Sequence, residues 1–392
     1  MLGAALARHP GDATLHLLQG DLFRARGEGA DAAAAYLRAL ALDPEAVAPR
    51  ANLGAAYQDE GRFEDALRCY DETLRRDPAN LPARFNRALL HLLMGNFSDG
   101  LRDYELRWEL PELTGGVPRP ACPAWEGEPL RGRAILLQAE QGFGDTLQFA
   151  RYIPAVIRAG GRVRVHCPPK LLALLQRSFP EAACASRLED LPPFDVRAPL
   201  LSLPRILGLR PDAVPTEHPY LRSDADVLER RRRELALRGA RFKVGLCWAT
   251  ASPTGQHRSI PAEALAVLGR VPGVEFISLQ RNVPTAGRPP LPLVELRGLE
   301  SFDDDAALVP ALDLVITMDT ALAHLAGAVG ARVWTVLSYP PDWRWGLASG
   351  AEGERTPWYP TMRLFRPLRK GAWVETLDRV GAALEALAAG TT

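Results

Sequence analysis

A period of 34 residues in the first hundred residues constrains the fold of this chain more than any other feature. Five registers repeat with that spacing: Pro10, Pro44 and Pro78; Gly27, Gly61 and Gly95; Gly20, Gly54 and Ala88; Ala32, Ala66 and Gly100; and Tyr36, Tyr70 and Tyr104. Small residues at fixed helical positions let two antiparallel helices approach closely, an aromatic ring fills the space beside them, and proline ends each unit. The spacing predicts stacked helix pairs over roughly residues 1–108, beginning in mid-repeat near Met1.

The segment "ANLGAAYQDEGRFEDALRCYDETLRRDP" resembles tetratricopeptide repeats. A heptad coiled coil is the structural alternative, but its period would not place glycine and proline in step every 34 residues. The resemblance implies a concave groove that binds a protein or peptide. Because such an array catalyses nothing by itself, we expect any chemistry to lie downstream.

Charge and hydropathy narrow the classes of function. Lys+Arg and Asp+Glu both number 47, so no net charge would attract nucleic acid or an anionic membrane. No apolar run reaches the roughly 18 residues of a membrane span, and the N-terminus lacks a signal-peptide pattern. The five cysteines form no Cys-x-x-Cys pair of the kind that binds zinc. We therefore expect a cytoplasmic protein.

From about Pro118 the pattern changes to short apolar runs that alternate with helical stretches, which is typical of parallel sheets. Strands are predicted at 134–140, 162–167, 243–249, 274–280, 313–318 and 331–338. A weaker strand is predicted at "FDVRAP" (194–199), and a polar, arginine-rich stretch at 221–239 then separates the first three strands from the other four and implies two sheets. The predicted domains are 1–115 (repeats), 116–238 (first lobe) and 239–392 (second lobe with a closing helix).

The first candidate site is the turn "AEQGFGDTLQFARY", where a buried strand gives way to a helix expected from Asp145 to Gly160. Gly142 and Gly144 permit tight backbone geometry and close approach by a ligand. Asp145 and Thr146 stand where the helix would be capped. Ligands of open α/β sheets bind at such carboxyl ends of strands. The alternative is that Asp145 only caps the helix.

The second candidate site is "DLVITMDTALAHLAGAVGARVW", a strand, a turn at Asp319 and Thr320, and a helix rich in small residues. The first turn of that helix and the Thr320 hydroxyl would offer hydrogen-bond donors to an anion. A diphosphate would need further donors, for which Arg258 and Ser259 of the loop "ATASPTGQHRSIP" are suitable. His324 lies one helical turn after Thr320 and either faces the same ligand or is a core histidine.

Three consecutive acidic residues, Asp303 to Asp305, look at first like a metal site. They precede an amphipathic helix, where carboxylates favour the positive end of the helix dipole. Because no further carboxylate or histidine is spaced to complete a hard-metal shell, we expect a structural role and no metal site. Their backbone could still flank a nucleotide base.

With these segments in this order, the region from about 118 to 385 resembles bacterial heptosyltransferase-like glycosyltransferases, and more closely bacterial proteins that carry such a domain behind tetratricopeptide repeats. The matching segments are "LLQAEQGFGDTLQFARYIP", "VGLCWA", "HRSIP", "SLQ", "ALDLVITMDTALAHLAGA" and "DWRW...TPWYPTMRLFR". The resemblance implies a GT-B fold, in which two Rossmann-like lobes face a cleft. The acceptor would bind the first lobe and a nucleotide-diphosphate sugar the second, with inverting, metal-independent transfer and no cofactor. Protein O-GlcNAc transferase is a more distant relative with this layout.

The resemblance also implies roles for individual residues. Asp145 matches the aspartate proposed as general base. The residues implied at the donor site are Gly142, Gly144, Arg258, Ser259, Gln280, Asp319, Thr320, Ala321 and His324. Two of these depart from the family pattern, since Ala321 stands where glycine is usual and Arg258 where lysine is frequent. Diphosphate binding is still expected, whereas the identity of the sugar stays open.

Two other classes of function compete with a glycosyltransferase. In the first, the repeats bind a partner and the α/β region is a degenerate scaffold without activity. In the second, the chain is a dinucleotide-dependent oxidoreductase, which the missing third glycine of the fingerprint disfavours. The sequence leaves open the sugar, the base, the acceptor and the oligomeric state.

Overall fold

The computed structural model describes residues 2–114, 116–208, 214–215, 217–239, 241–250, 252–281, 287–348 and 353–390. The chain divides into two compact units. One contains Met1–Leu113 with Tyr339–Leu347, and the other contains Thr114–Ser338 with Ala348–Thr392. The predicted domain boundaries after residues 115 and 238 stay predictions.

The first unit is an array of antiparallel helix pairs. Its helices are α1 (Leu2–Arg8), α2 (Ala13–Ala25), α3 (Gly29–Leu42), α4 (Val47–Asp59), α5 (Phe63–Arg76), α6 (Leu81–Leu93) and α7 (Phe97–Tyr104), followed by the short α8 (Pro111–Thr114). The turns inside the pairs carry Gly27, Gly61 and Gly95 at φ of 75°, 75° and 86°, a region that favours glycine. A Cβ on Gly54 would lie 2.8 Å from Cε1 of Tyr70. The predicted repeat is therefore confirmed, with glycine and tyrosine in the roles expected of them.

The segment Tyr339–Leu347 completes this unit at its last helix pair. The indole of Trp343 packs edge-on against the rings of Phe97 and Tyr104, with centroid distances of 6.4 and 5.9 Å. Phe85 of α6 stacks on the other side of the pair, 5.7 Å from Tyr104. The last repeat thus buries its apolar face against an aromatic residue that is distant in sequence.

The second unit contains two parallel β-sheets. Its strands are β1 (Ala134–Gln138), β2 (Arg162–His166), β3 (Ala183–Ala185), β4 (Val196–Pro199), β5 (Phe242–Cys247), β6 (Val274–Ser278), β7 (Leu293–Val294), β8 (Leu314–Met318), β9 (Val333–Val336) and β10 (Met362–Phe365). The first sheet has the order β3-β2-β1-β4 and the second β10-β9-β8-β5-β6-β7. Every residue of β1, β5 and β8 is buried, as expected for strands covered by helices on both faces.

The helices of this unit are α9 (Phe143–Phe149), α10 (Ile153–Arg158), α11 (Leu172–Ser178), α12 (Leu203–Ile206), α13 (Ala225–Ala236), α14 (Phe302–Leu308), α15 (Ala321–Ala328) and α16 (Trp373–Ala389). The single helix expected from Asp145 to Gly160 is instead α9 and α10, joined by a 3₁₀ turn. Pro154 at the start of α10 explains this break, since proline has no N–H to continue the helical ladder.

A hydrophobic core packs against the second sheet. Leu377, Val380 and Leu384 of α16 pack in one cluster with buried residues of β5, β6 and β8. The fold class predicted from the sequence is confirmed: helical repeats precede two parallel, Rossmann-like sheets. None of the helices among the described residues is long and apolar enough to cross a membrane.

Candidate functional site

The strand orders place both predicted turns at topological switch points. In the first sheet the chain runs from β1 through β2 to β3 and then returns to the other side of β1 as β4. In the second it runs from β5 through β6 to β7 and returns beside β5 as β8. Ligands of open α/β sheets bind in the crevice at the carboxyl ends of strands that flank such a reversal. The turn after β1 leads to Asp145, and the turn after β8 is Asp319 and Thr320.

In the first turn, Asp145 closes the start of α9 with its side chain. Oδ2 of Asp145 accepts a hydrogen bond from the backbone N–H of Gly142 at 2.9 Å. The Thr146 hydroxyl donates to the Gly142 carbonyl at 3.3 Å. The helix begins at Phe143, two residues earlier than expected, so Asp145 caps it from the third helical position. The Asp145 carboxylate is thus held against the backbone at the start of α9.

In the second turn, Asp319 and Arg258 form an ion pair across the switch point. Nη1 of Arg258 lies 3.1 Å from Oδ2 of Asp319, whose side chain is only 5% exposed, whereas that of Arg258 is 27% exposed. Thr320 is the N-cap residue of α15 in extended conformation, and its side chain makes no cap hydrogen bond. Its hydroxyl lies 3.4 Å from the Met318 carbonyl. Arg258 and the start of α15 therefore meet at the carboxyl ends of β5 and β8.

The two turns meet through Gly144. A Cβ on Gly144 would lie 3.0 Å from Cδ2 of His324 and 3.5 Å from Cα of Ala321. Only glycine permits this approach of α9 to α15 without a shift. The structure thus brings Gly144 of one lobe beside Ala321 and His324 of the other.

Two further contacts join the lobes next to this point. The rings of Phe143 and Phe302 lie with centroids 5.0 Å apart. Arg177 of α11 forms a bidentate ion pair with Asp303 of α14, at 2.5 and 2.9 Å. Fork-to-fork pairs of this kind fix orientation as well as distance. The sequence analysis missed both contacts, since their partners lie more than a hundred residues apart in the chain.

Ser259 and Gln280 bind the backbone of the loop after β5. The Ser259 hydroxyl accepts from the N–H of Thr250 at 3.3 Å. Oε1 of Gln280 accepts from the N–H groups of Trp248 and Ala249 at 3.1 and 2.8 Å, and its Nε2 donates to the carbonyl of Ala249 at 3.0 Å. Their implied contact with the donor stays a prediction, and in this structure their polar atoms hold the loop that carries Arg258.

Replacing Gln280 by leucine is expected to lower the free energy of unfolding by about 2–4 kcal/mol, because two backbone N–H groups lose their acceptor. Urea unfolding would measure the change. Gln176→Leu is the matched control, since that exposed side chain makes one long hydrogen bond of 3.3 Å. A loss for Gln280→Leu as small as that of the control would contradict a role in holding the loop.

The three acidic residues at the start of α14 each have a structural partner. Asp303 pairs with Arg177, Asp304 accepts from the backbone N–H and the hydroxyl of Ser301 at 2.9 and 2.7 Å, and Asp305 pairs with Arg281 at 2.6 Å. Burial raises the pKa of the Asp305 carboxyl above its usual value. The described residues contain no group of three or more His, Cys, Asp or Glu placed to hold a metal ion.

A cavity of about 310 Å³ opens beside this cluster, at the carboxyl end of β6. Gln280, Arg281, Glu295 and Asp305 contribute polar groups to its lining, and Leu279 contributes apolar surface. Pockets that hold small molecules start at roughly 300 Å³. The cavity lies next to the strand end that carries Gln280, one strand away from β5.

The sequence analysis also missed a buried cluster beneath α9 and α15. Arg151 is 3% exposed, and its guanidinium lies 4.8 Å from the ring centroids of both Tyr220 and Tyr359. Its Nη1 donates to the Trp358 carbonyl at 2.7 Å. Tyr359 in turn contacts His324, with 2.9 Å between Oη and Nδ1. Tyr359 stands in the quoted segment "TPWYPTMRLFR", but no pattern in that segment indicated this contact.

Comparisons with known proteins agree with the repeats. Residues 20–61 match a family model described as TPR repeat, and residues 52–115 match one described as tetratricopeptide repeat. The N-terminal region therefore consists of tetratricopeptide repeats. Protein FlbA of Caulobacter vibrioides is 28% identical over 296 residues, which cover 68% of this chain and 48% of that protein. The chain spans about half the length of this curated relative.

Two solved glycosyltransferases are among the structures similar to this chain. A family 9 glycosyl transferase from Veillonella parvula is 12% identical with a TM-score of 0.48, covering 68% of this chain and all of that one. The glycosyltransferase TibC from enterotoxigenic E. coli is 13% identical with a TM-score of 0.46, covering 67% of this chain and 77% of that one.

Proposed function

We propose that this chain is a cytoplasmic, inverting glycosyltransferase that moves a sugar from a nucleotide-diphosphate sugar to an acceptor hydroxyl. One observation carries the proposal. The turn that carries Asp145, at the switch point of the first sheet, contacts the start of α15, at the switch point of the second, through Gly144. An acid–base group and a phosphate site side by side are the two parts that glycosyl transfer from a diphosphate needs.

The donor would bind the second lobe. Its diphosphate would lie at the N-terminus of α15, where backbone N–H groups, the Thr320 hydroxyl and the Arg258 guanidinium converge. Asp319 holds Arg258 from behind, so the cation is oriented before the donor arrives. The base of the nucleotide would occupy the cavity at the carboxyl end of β6. The sugar would then face Gly144 and Asp145.

Transfer would proceed in one displacement. Asp145 would take the proton of the acceptor hydroxyl while that oxygen attacks the anomeric carbon. The bond from this carbon to the diphosphate oxygen would break, and its electron pair would leave with the nucleoside diphosphate. Attack opposite to the leaving group inverts the anomeric configuration. Arg258 and the start of α15 would stabilise the charge that develops on the diphosphate, so the proposed reaction needs no metal.

The tetratricopeptide repeats support a protein or peptide as acceptor or as docking partner, because arrays of this kind present extended binding surfaces. This part of the proposal is independent of the chemistry. A repeat protein that only captures a partner would do so equally well after both Asp145→Ala and Thr320→Ala.

The test incubates the full chain with UDP-, GDP- and ADP-sugars and follows release of the nucleoside diphosphate, with calorimetry of nucleotide binding in parallel. Arg258→Ala is expected to weaken nucleoside diphosphate binding roughly tenfold or more, because a charge-assisted hydrogen bond is lost. Arg238→Ala is the control, since that arginine forms a surface ion pair with Glu275 at 2.9 Å. If no nucleotide sugar binds at millimolar concentration, the proposal fails and a non-catalytic adaptor takes its place.

A further inference from the structure

Arg281 lines the cavity at the carboxyl end of β6 and is held there by the start of α14. Its Nη2 donates to Oδ2 of Asp305 and to the carbonyl oxygen of Ser301, both at 2.6 Å. The Asp305 side chain is 6% exposed and that of Arg281 is 39% exposed, so a buried anchor holds a cation that reaches the cavity. Nη2 carries two hydrogens, and both are used. The guanidinium therefore has a fixed orientation.

The other N–H groups of Arg281, on Nη1 and Nε, are available to a ligand. Among the residues that the structure describes, the side chain donates to the protein through Nη2 alone. A guanidinium is always charged and has no hydrogen-bond acceptor. A ligand in the cavity therefore meets a fixed group that binds a carbonyl oxygen and repels an N–H group.

Glu295 brings an acceptor to the same cavity. It directly follows β7, which pairs with β6, so it lies at the carboxyl edge of the sheet beside the strand end that carries Arg281. An ionised carboxylate only accepts hydrogen bonds. Leu279, Leu296 and Leu299 line the cavity as well, and apolar surface of this kind packs against the faces of a flat ring. The cavity thus combines a group that only donates, a group that only accepts, and apolar walls.

Nucleobases differ at the edge that would meet these two groups. Uracil and guanine carry a lactam, which is a carbonyl oxygen next to a ring N–H. Cytosine and adenine carry an exocyclic amine next to an unprotonated ring nitrogen in the same place, so the donor and the acceptor are exchanged. Arg281 together with Glu295 matches the lactam and opposes the amine. A site built to form given hydrogen bonds rejects an analogue that cannot make them, because its own polar groups are left unpaired.

We propose that this cavity selects nucleotide donors whose base carries a lactam, uracil or guanine. Arg281 donates to the carbonyl oxygen of the base, and the ring N–H of the base donates to Glu295. Asp305 and the Ser301 carbonyl are positioning groups, because they keep Arg281 from turning away from an amine. This inference rests on the proposed function, which leaves the base open, and it names the class of donor for that site.

The test measures the affinity of the full chain for two matched pairs of nucleoside diphosphates by calorimetry. UDP and CDP have rings of the same size and differ only at this edge. Inosine diphosphate and ADP form the second pair, since hypoxanthine has a lactam where adenine has its amine. In each pair the lactam nucleotide is expected to bind roughly tenfold more tightly or better. Comparing UDP with GDP then shows which of the two bases the cavity prefers.

Two variants trace this preference to the cavity. Glu295→Ala changes an exposed side chain, and Arg281→Gln removes the guanidinium; each is expected to lower the preference for the lactam roughly tenfold. Glu385→Ala and Arg270→Gln are the controls, because both side chains are exposed and neither lines the cavity. If Arg281→Gln does not fold, Glu295→Ala decides alone.

The outcomes separate this inference from the proposed function. Equal affinity within both pairs, or tighter binding of CDP or ADP than of its lactam partner, would overturn the inference and leave the proposed function standing. A preference for the lactam that survives in every variant that folds would overturn it as well. If none of the nucleotides binds at millimolar concentration, the proposed function fails and the inference fails with it.

Discussion

Replacing Asp145 by asparagine is expected to slow sugar transfer by roughly 10²–10⁴-fold, the usual contribution of a positioned general base. The amide oxygen of asparagine can still accept the hydrogen bond that Gly142 donates to Asp145 at 2.9 Å, so the start of α9 keeps its cap. What is lost is the ability to take a proton. Nucleoside diphosphate affinity is expected to stay near the wild-type value, because the proposed diphosphate contacts lie on the other lobe.

The measurement compares the rate of nucleotide release with calorimetric affinity for the same nucleotide. Asp145→Ala provides a second comparison, since it removes both the base and the cap and is expected to lower the free energy of unfolding by about 1 kcal/mol. If Asp145 takes the proton, Asp145→Asn and Asp145→Ala should transfer sugar equally slowly. Only Asp145→Ala should be less stable than the wild type. Transfer by Asp145→Asn at a rate near that of the wild type would leave Asp145 as a helix cap.

The repeats could be predicted because their signal is local and periodic. The ring of Tyr70 packs on Gly54 within a single helix pair, and the positive φ of Gly61 is required by the turn inside the same pair. Each requirement recurs at 34-residue spacing, so five registers report the same structure. The α/β part has no such repeat, so each of its strands has to be predicted from a single short segment.

In the sheets, buried strands such as β1 and β8 could be predicted, whereas the very short β3 and β7 could not. The five buried residues of β1 and of β8 form apolar runs that stand out in the sequence. The three residues of β3 and the two of β7 are too short to carry a pattern, and they exist because a neighbouring strand pairs with them. The strand order, and with it the switch points, depends on pairings between distant segments.

At the candidate site, sequence motifs indicated backbone features better than side-chain partners. The turns at Gly142 and Thr320 follow from glycine, a capping residue and a helix rich in small residues. By contrast, the ion pair of Arg258 with Asp319 spans 61 residues, and the bond from Arg151 to Trp358 spans 207. Gln280 is predicted to contact the donor, and in the structure its amide binds the loop backbone. Sequence spacing alone does not separate those two roles.

Gly144 connects these observations, since the turn of Asp145 contacts α15 there. The ring of His324, which faces Gly144, has little freedom to move. Its Nδ1 is hydrogen-bonded to Tyr359, and Tyr359 is packed between Gly327 and Arg151. A side chain at residue 144 would therefore displace α9, and Asp145 with it, rather than the histidine. The geometry of the site depends on the absence of a Cβ at this position.

Gly144→Val is accordingly expected to lower the rate of sugar transfer at least 100-fold, because a displacement of about 1 Å of a catalytic group costs that much. Rates of nucleotide release would measure it. Gly381→Ala is the control, since a Cβ there meets Val267 at an ordinary 3.6 Å inside α16, where alanine favours the helix. Gly381→Ala should keep full activity. If Gly144→Val is equally active, the close approach of α9 to α15 at Gly144 is contradicted.

The milder Gly144→Ala tests the cause of the expected loss. Its Cβ, 3.0 Å from Cδ2 of His324, is tolerated only if the ring moves by a few tenths of an ångström. In Tyr359→Phe the ring of His324 loses its hydrogen bond at Nδ1 and gains that freedom. The double variant Gly144→Ala, Tyr359→Phe should therefore lose less of the transfer rate than the product of the two single fold-losses. Neighbouring residues that share a constraint show such non-additivity, whereas independent ones do not. Multiplicative losses would mean that the Tyr359 hydroxyl does not fix His324 against the turn of Asp145.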